Sequence, residues 1–304
     1  MAQHESAYPY LCKDCGKRFS NDKFKSRTYP ITKIVKALSE YNSGLTIEET
    51  SKKTQIPKST IANWIQEYED LLNLAKFNRK LQKYVKNNRL IQGHKYLHQL
   101  VYLYLQHNFK LDYFVKSNEP KLYDYLQKTK NGLINKNYFT NSDARASRIK
   151  LNIFKELNLK TTHNNACEFA NIAIELVDDN WKRHWAVEKI MLENDTSTIA
   201  VEVPVYLETS TSTIPWIKSI KSNNNYITGH IDLLQYRNGK LYILDYKPGA
   251  KNEKPIGQLF VYACCLSKST RIHFSNIILA WFDENLYYET NAMQVYKYVM
   301  SNFK

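Results

Sequence analysis

Cysteine is scarce in this chain, and what there is lies scattered. Five cysteines in 304 residues are too few and too dispersed for the disulfide framework that small secreted domains depend on. No apolar run reaches the roughly 18 residues that a membrane span needs. The opening stretch MAQHESAYPY lacks the apolar segment of a secretory signal. These absences point to an intracellular, cytoplasmic chain with no membrane partner. There are no internal repeats, so no solenoid array is expected. Acidic charge is also sparse where basic charge is dense. Residues 1–160 hold 29 Lys and Arg against 14 Asp and Glu, about +15, whereas residues 161–304 hold 14 against 15, about −1. Charge segregated in this way suggests a polyanion held by the front half, the alternative being a well-solvated lysine-rich surface. What is present, 43% hydrophobic and 13% aromatic residues, is the composition of a folded chain with room for two or three domains.

The most informative stretch is Tyr226 to Tyr262, YITGHIDLLQYRNGKLYILDYKPGAKNEKPIGQLFVY. Asn238-Gly239 is a strong hairpin signal, because a type I′ turn needs positive φ at both central residues. Strand-like runs flank it, from Ile227 to Tyr236 and from Leu241 to Lys247. With a two-residue loop, Asp232 falls opposite Asp245 and His230 opposite Lys247, and period-2 alternation puts all four on one face. Two carboxylates facing each other destabilise a plain sheet, and a cation between them reverses that sign. The hairpin therefore predicts a divalent-metal site with an ammonium beside it, the alternative being a solvated polar face. Pro248-Gly249 ends the second strand. Pro255 is placed to start a helix at its first position, on which Gln258 and Tyr262 share a face.

Gly229-x-Ile231-Asp232, then Asp245-Tyr246-Lys247, then Gln258-x-x-x-Tyr262 resembles the PD-(D/E)XK nucleases of the RecB-like branch. An earlier acidic position of that family corresponds to Glu202 in AVEVPVYLE. The resemblance implies an α/β fold: a mixed sheet flanked by helices, here preceded by an all-α helix-turn-helix region. It implies Mg²⁺ or Mn²⁺ held by Asp232, Asp245, Glu202 and the backbone carbonyl of Tyr246, hard oxygen ligands that suit such ions. Asp232, Asp245, Lys247, Glu202, Gln258 and Tyr262 become the candidate catalytic residues for metal-assisted phosphodiester hydrolysis of DNA. Lys247 would orient the attacking water or neutralise the scissile phosphate. Gln258 and Tyr262 would bond the phosphate or a metal ligand, and His230 is either structural or a support to the site. The branch also carries a histidine on the helix before the Glu202 strand. The helix around Asn164 to Val177 offers only Glu168 or Glu175, with His163 just ahead, so that position is unassigned. Some members of the branch hold an iron–sulfur cluster, which takes one cysteine before the core and three after it. Cys167 precedes the hairpin but nothing follows Cys265, so no cluster is expected. Cys264 and Cys265 are read as buried helix residues.

Four domains are expected: residues 1–25, 26–75, 76–160 and 161–304. In the first, Cys12-Lys13-Asp14-Cys15-Gly16 is half of a zinc knuckle, and YLCKDCGKRF resembles the second knuckle of the ribbon that opens many transposase-like proteins. No second C-x-x-C exists to complete four ligands. The segment is read as a metal-free remnant, with Zn²⁺ at Cys12 and Cys15 as the alternative. In the second, Ile31, Ile34, Val35 and Leu38 recur at helical spacing. Thr46-Ile47-Glu48-Glu49 is a capping box, and Gln55-Ile56-Pro57 stops that helix. Ser59 is placed to cap a third helix that buries Ile61, Trp64, Ile65 and Tyr68. GLTIEETSKKTQIPKSTIANWIQEY resembles the DNA-binding helix-turn-helix of transposases and resolvases, with Lys58, Thr60 and Asn63 placed to meet DNA. A trihelical protein-interaction module is the alternative.

Residues 76–160 show apolar spacings of three and four and are read as a helical connector. The last domain is the nuclease core, in which Val201, Val203 and Val205 share a face opposite Glu202. The function expected is a metal-dependent DNA nuclease with its own DNA-binding front end. The competing classes are a catalytically silent DNA-binding protein that keeps the fold and a protein-interaction module of a mobile-element complex.

Overall fold

The computed structural model describes residues 29–98, 100–135, 137–140, 144–151, 157, 159–177, 179–220 and 225–303. It also describes a two-residue antiparallel pairing of Tyr10–Leu11 with Arg18–Phe19. Cys12 and Cys15 lie outside the described residues.

Three helices come first: α1 (Ile31–Asn42), α2 (Ile47–Thr54) and α3 (Lys58–Glu67). The capping box forms as expected: Glu49 N donates to Thr46 Oγ1 at 3.1 Å, and Thr46 N donates to Glu49 Oε2 at 2.8 Å. Gln55 ends α2 in the left-handed conformation at φ 59°. The cap expected at Ser59 does not form. Helix α3 begins at Lys58, two residues earlier than a Ser59 cap would set it, with Pro57 at the cap position. Ile31, Ile34, Val35, Leu38, Ile61, Trp64 and Tyr68 are buried, whereas Ile65 is only half-buried.

Helix α4 (Asn78–Val85) is followed by a departure from the sequence reading. Ile91 to His107 is not helical. It forms the antiparallel strands β1 (Ile91–His98) and β2 (Leu100–His107). Tyr96 and Tyr104 are buried in the sheet core, because alternate aromatic positions suit a pleated surface better than a helix stripe. Helix α5 (Pro120–Lys130) then restores the expected helical character. The main elements that follow are β3 (Lys160–Thr162), α6 (Asn165–Leu176), α7 (Asn180–Asn194), β4 (Thr198–Glu208), β5 (Tyr226–Arg237), β6 (Lys240–Tyr246), α8 (Ile256–Thr270), β7 (Ile277–Phe282), β8 (Tyr287–Asn291) and α9 (Ala292–Asn302). Val177 lies just past the end of α6, and Pro255 sits one residue before α8 rather than at its first position.

The sheet runs β1-β2-β4-β5-β6-β7-β8-β3, and the two-residue strand Ala144–Arg145 pairs alongside β5. It is mixed: β6 and β7 are parallel and joined through α8, while the other labelled neighbours are antiparallel. One face packs against α5, α8 and α9 through Ile231, Leu234, Ile243, Leu279 and Trp281. The other packs against α6, α7 and the N-terminal helices through Val201, Leu233, Leu244 and Phe282. Asn42 donates to Asn194 Oδ1 at 2.7 Å, tying α1 to the end of α7. Cys264 and Cys265 are buried on α8. Among the described residues, no helix is long and apolar enough to cross a membrane.

Candidate metal centre

The β5–β6 hairpin has the expected turn, with Asn238 at φ 53° and Gly239 at φ 70°. Its pairing runs from Arg237↔Lys240 to Leu233↔Leu244. One step further lie Asp232 and Asp245. On the other side of β5, pairing with β4 joins Val201↔Leu233 and Val203↔Ile231, with Glu202 and Asp232 between them. The three acids thus form one row across β4, β5 and β6.

The sheet is irregular along this row. Glu202 has φ 49°, a left-handed backbone that a non-glycine residue rarely adopts. Val201 packs with the core on the α7 side while Val203 and Val205 pack with the core on the α8 side. The expectation that all three valines share a face is therefore corrected: alternation slips at Glu202. It slips again at Asp232, since Ile231 and Leu233 also face opposite ways. In consequence His230 does not stand beside Lys247. Its ring stacks on Tyr102 at 3.9 Å between centroids, and Lys247 N instead donates to Phe282 O of β7 at 2.8 Å.

Helix α7 brings two groups that the sequence reading missed. The ring Nδ1 of His184 is 3.8 Å from Asp232 Oδ2. Glu188, one turn on, is buried. Ligand-capable atoms of His184, Glu188 and Asp232 all lie within 4.8 Å of one another. The sequence search for an earlier histidine stopped at α6. Its candidate His163 bonds Glu168 at 3.1 Å and the Asn285 carbonyl, and Glu175 is on the same helix, α6. The available signal was a His and a Glu four apart in WKRHWAVEKIMLEN, directly before the strand of Glu202.

Lys247 Nζ is 3.1 Å from Asp245 Oδ2. Burial works against its charge, but Asp245 and Asp232 outweigh that and hold its pKa above the usual lysine value. Gln258 Nε2 donates to the Tyr262 hydroxyl at 3.0 Å. The Tyr262 ring lies against Gly229, where any Cβ would overlap its Cε1 atom. Burial and the charges of Asp232 and Asp245 raise the Tyr262 pKa well above the ordinary phenol value, so it stays a neutral donor. Tyr246 is buried, its ring 4.9 Å from that of His184.

The acids cannot all be charged together. Burial and the neighbouring Asp232 push Glu202 up to about 8, with Arg145 pulling the other way. Burial and the other three acids raise Glu188 well above the carboxylate range. Burial, then Asp232, does the same to Asp245. Burial alone would raise Asp232 too, but hydrogen bonds with His184 and Asp245 and the charge of Lys247 bring it down to about 2. Burial and mutual repulsion therefore favour the neutral form of Glu188, Glu202 and Asp245, and the surroundings of Asp232 favour its charge.

Those residues fit a divalent metal ion. Asp245 is buried with only the Lys247 ammonium and the Asp232 carboxyl beside its oxygens, and Glu188 Oε2 is buried with no hydrogen-bond partner among the described residues, a costly state that ligation would relieve. Oxygen donors with one imidazole suit a small hard cation.

Lys58, Thr60 and Asn63 lie on a separate surface. All three are on α3, with Lys58 and Asn63 exposed and Thr60 half-buried. Lys58 Nζ is 3.5 Å from Glu48.

No curated protein and no solved structure matches the chain. Residues 116–281 match the family model of the PD-(D/E)XK nuclease superfamily. The match spans more than half the chain and takes in the whole acidic row. The chain belongs to the PD-(D/E)XK nuclease superfamily.

Proposed function

We propose that the protein is a divalent-metal-dependent deoxyribonuclease of the RecB-like branch. The observation that supports this best is the buried row Glu202, Asp232 and Asp245, with Lys247 3.1 Å from Asp245. Asp232, Asp245, Glu202 and the Tyr246 carbonyl would hold Mg²⁺ or Mn²⁺, joined by His184 and Glu188. When bound, the ion supplies a water of lowered pKa and offsets charge on the phosphate. The Lys247 ammonium would orient that water or neutralise a phosphate oxygen while the water oxygen bonds to phosphorus, the P–O bond to the leaving sugar breaks and a solvent proton goes to the sugar oxygen. Tyr262, held by Gln258, donates to the phosphate or to a ligand.

Helices α1 to α3 serve as a helix-turn-helix that grips DNA through Lys58, Thr60 and Asn63. The excess of positive charge in residues 1–160 supports that role. The deciding experiment incubates the full chain with linear, nicked, circular and branched DNA in Mg²⁺, in Mn²⁺ and in EDTA. Cleavage in either metal that disappears in EDTA is expected. Binding without cleavage of any of the four would favour a catalytically silent DNA-binding protein.

A further inference from the structure

The sheet forks beside the acidic row. Strand β6 pairs with β5 only along Leu233 to Arg237, whereas Ala144–Arg145 pairs with the far end, Ile227 and Thr228. Gly229 to Asp232 lie between the two partners. His230 is opposite Pro204. Its neighbour Ile231 faces α8, and a Cβ on Gly229 would meet Tyr262 of that same helix. His230 therefore turns away from Tyr262, and the Phe139 ring lies 5.9 Å from its own. Tyr102 of β2 lies flat on it, with the ring planes 15° apart. Arg145 reaches across to donate from an Nη2 N–H to the Tyr102 hydroxyl at 2.8 Å.

His230 is paired with Pro204, two residues from Glu202, so the chain His230–Tyr102–Arg145 places a braced guanidinium towards the Glu202 end of the row. Lys247 stands at the opposite, Asp245 end. Neither the metal ligands nor the water-activating groups account for Arg145. A guanidinium is planar, permanently charged and well matched to phosphate oxygens. Stacking beneath Tyr102 restricts how the bracing hydroxyl can move.

We propose that Arg145, braced by Tyr102 on His230, binds the phosphate next to the scissile one and so sets the position of the DNA strand over the acidic row. Lys247 and Arg145 then grip consecutive phosphates from opposite ends of the row. This rests on the nuclease reading above.

The test is a cycle between protein and substrate. Cleavage by the full chain is measured on an oligonucleotide and on versions with an uncharged methylphosphonate at the phosphate on either side of the cleavage point. Arg145→Gln, Arg145→Lys and Tyr102→Phe are compared with the unmodified protein. Loss of a charge-assisted phosphate contact predicts a KM raised roughly 10- to 100-fold in Arg145→Gln, with kcat within about threefold, partial rescue in Arg145→Lys, and a smaller rise in Tyr102→Phe. One of the two methylphosphonates should cost the unmodified protein the same factor and cost Arg145→Gln nothing further. If Arg145 were only a counter-ion for Glu202, the variant would lose metal affinity and melting temperature yet remain as sensitive to both methylphosphonates. That result overturns the proposal, as does an unchanged KM. If no DNA is cut, the nuclease reading fails on its own, and the same cycle is read by fluorescence anisotropy in Ca²⁺. Additive losses, or no binding, overturn the phosphate contact there too.

Discussion

Two lysine–carboxylate pairs of similar length lie in very different surroundings. Lys247 and Asp245 are 3.1 Å apart with side chains 26% and 2% exposed, while Lys58 and Glu48 are 3.5 Å apart with side chains 59% and 55% exposed. Water and salt screen the second pair, so it contributes little and Lys58 is at liberty to exchange Glu48 for another anion. The first pair is largely dry and shares its charge with three further acids. Removing either member leaves the rest out of balance. The difference is one of commitment: buried charge is fixed to its partners in advance, and exposed charge is available to new ones.

The sharpest way to break the buried side of this comparison is Asp245→Asn or Asp232→Asn. Each is expected to lower cleavage by at least about 10³-fold, given what single electrostatic groups supply in active sites. The metal-free fold should survive, because each amide matches the carboxyl it replaces in shape, and thermal unfolding should remain cooperative. Full activity in either variant would remove the row from the site. Lys247→Ala comes next, with an expected loss of about 10²-fold in rate. Titration calorimetry with Mn²⁺ should show binding retained, because an ammonium is not a ligand, and lost binding would assign Lys247 a structural role instead.

A third measurement sharpens the comparison through pH. The Glu202 pKa is raised in the fold to about 8. A raised acid pKa means the folded state holds the proton more tightly, so this contribution to stability is present below the unfolded value and is lost as pH climbs towards 8. A metal ligated by Glu202 would replace that proton. The rise in melting temperature on adding Mg²⁺ or Mn²⁺ should therefore grow between about pH 5 and pH 8. A rise independent of pH would place the metal away from Glu202. The smallest effect belongs to the exposed side. Lys58→Ala with Asn63→Ala should weaken DNA binding a few-fold, lower the log–log salt slope by about one, and leave the melting temperature and Mn²⁺ affinity unchanged. Unchanged DNA binding across salt concentrations would make α1 to α3 a protein-interaction module.

The parts of the fold legible in the sequence are those governed by local rules. The Asn238-Gly239 turn determined the β5–β6 register, and Thr46 and Glu49 marked the start of α2. Elements governed by distant partners were not legible. Strands β1 and β2 read as helices because Leu97, Leu100, Val101 and Leu103 happen to fall at spacings of three and four, while their stability comes from packing against β4 and α5. The slips at Glu202 and Asp232 arise from a backbone conformation that no pattern of valines reports. His184 and Glu188 were within reach of sequence reasoning but were overlooked, because a second helix separates α6 from β4. Arg145 carried no local signal at all. It gains its meaning from Tyr102 and His230, residues 43 and 85 positions away along the chain.

The pairing of β3 with β8 bears on how the chain is made. Lys160 and Glu289 face each other across an edge of the sheet although 129 residues separate them. A ribosome delivering the chain from its N-terminus exposes β3 long before its partner exists. The loop closure that joins them is among the entropically costlier steps of folding. Glu202, Asp232 and Asp245, by contrast, come from strands consecutive in the chain and joined by near-neighbour pairings. The acidic row can therefore assemble while the outer edge of the sheet still waits for its last strand.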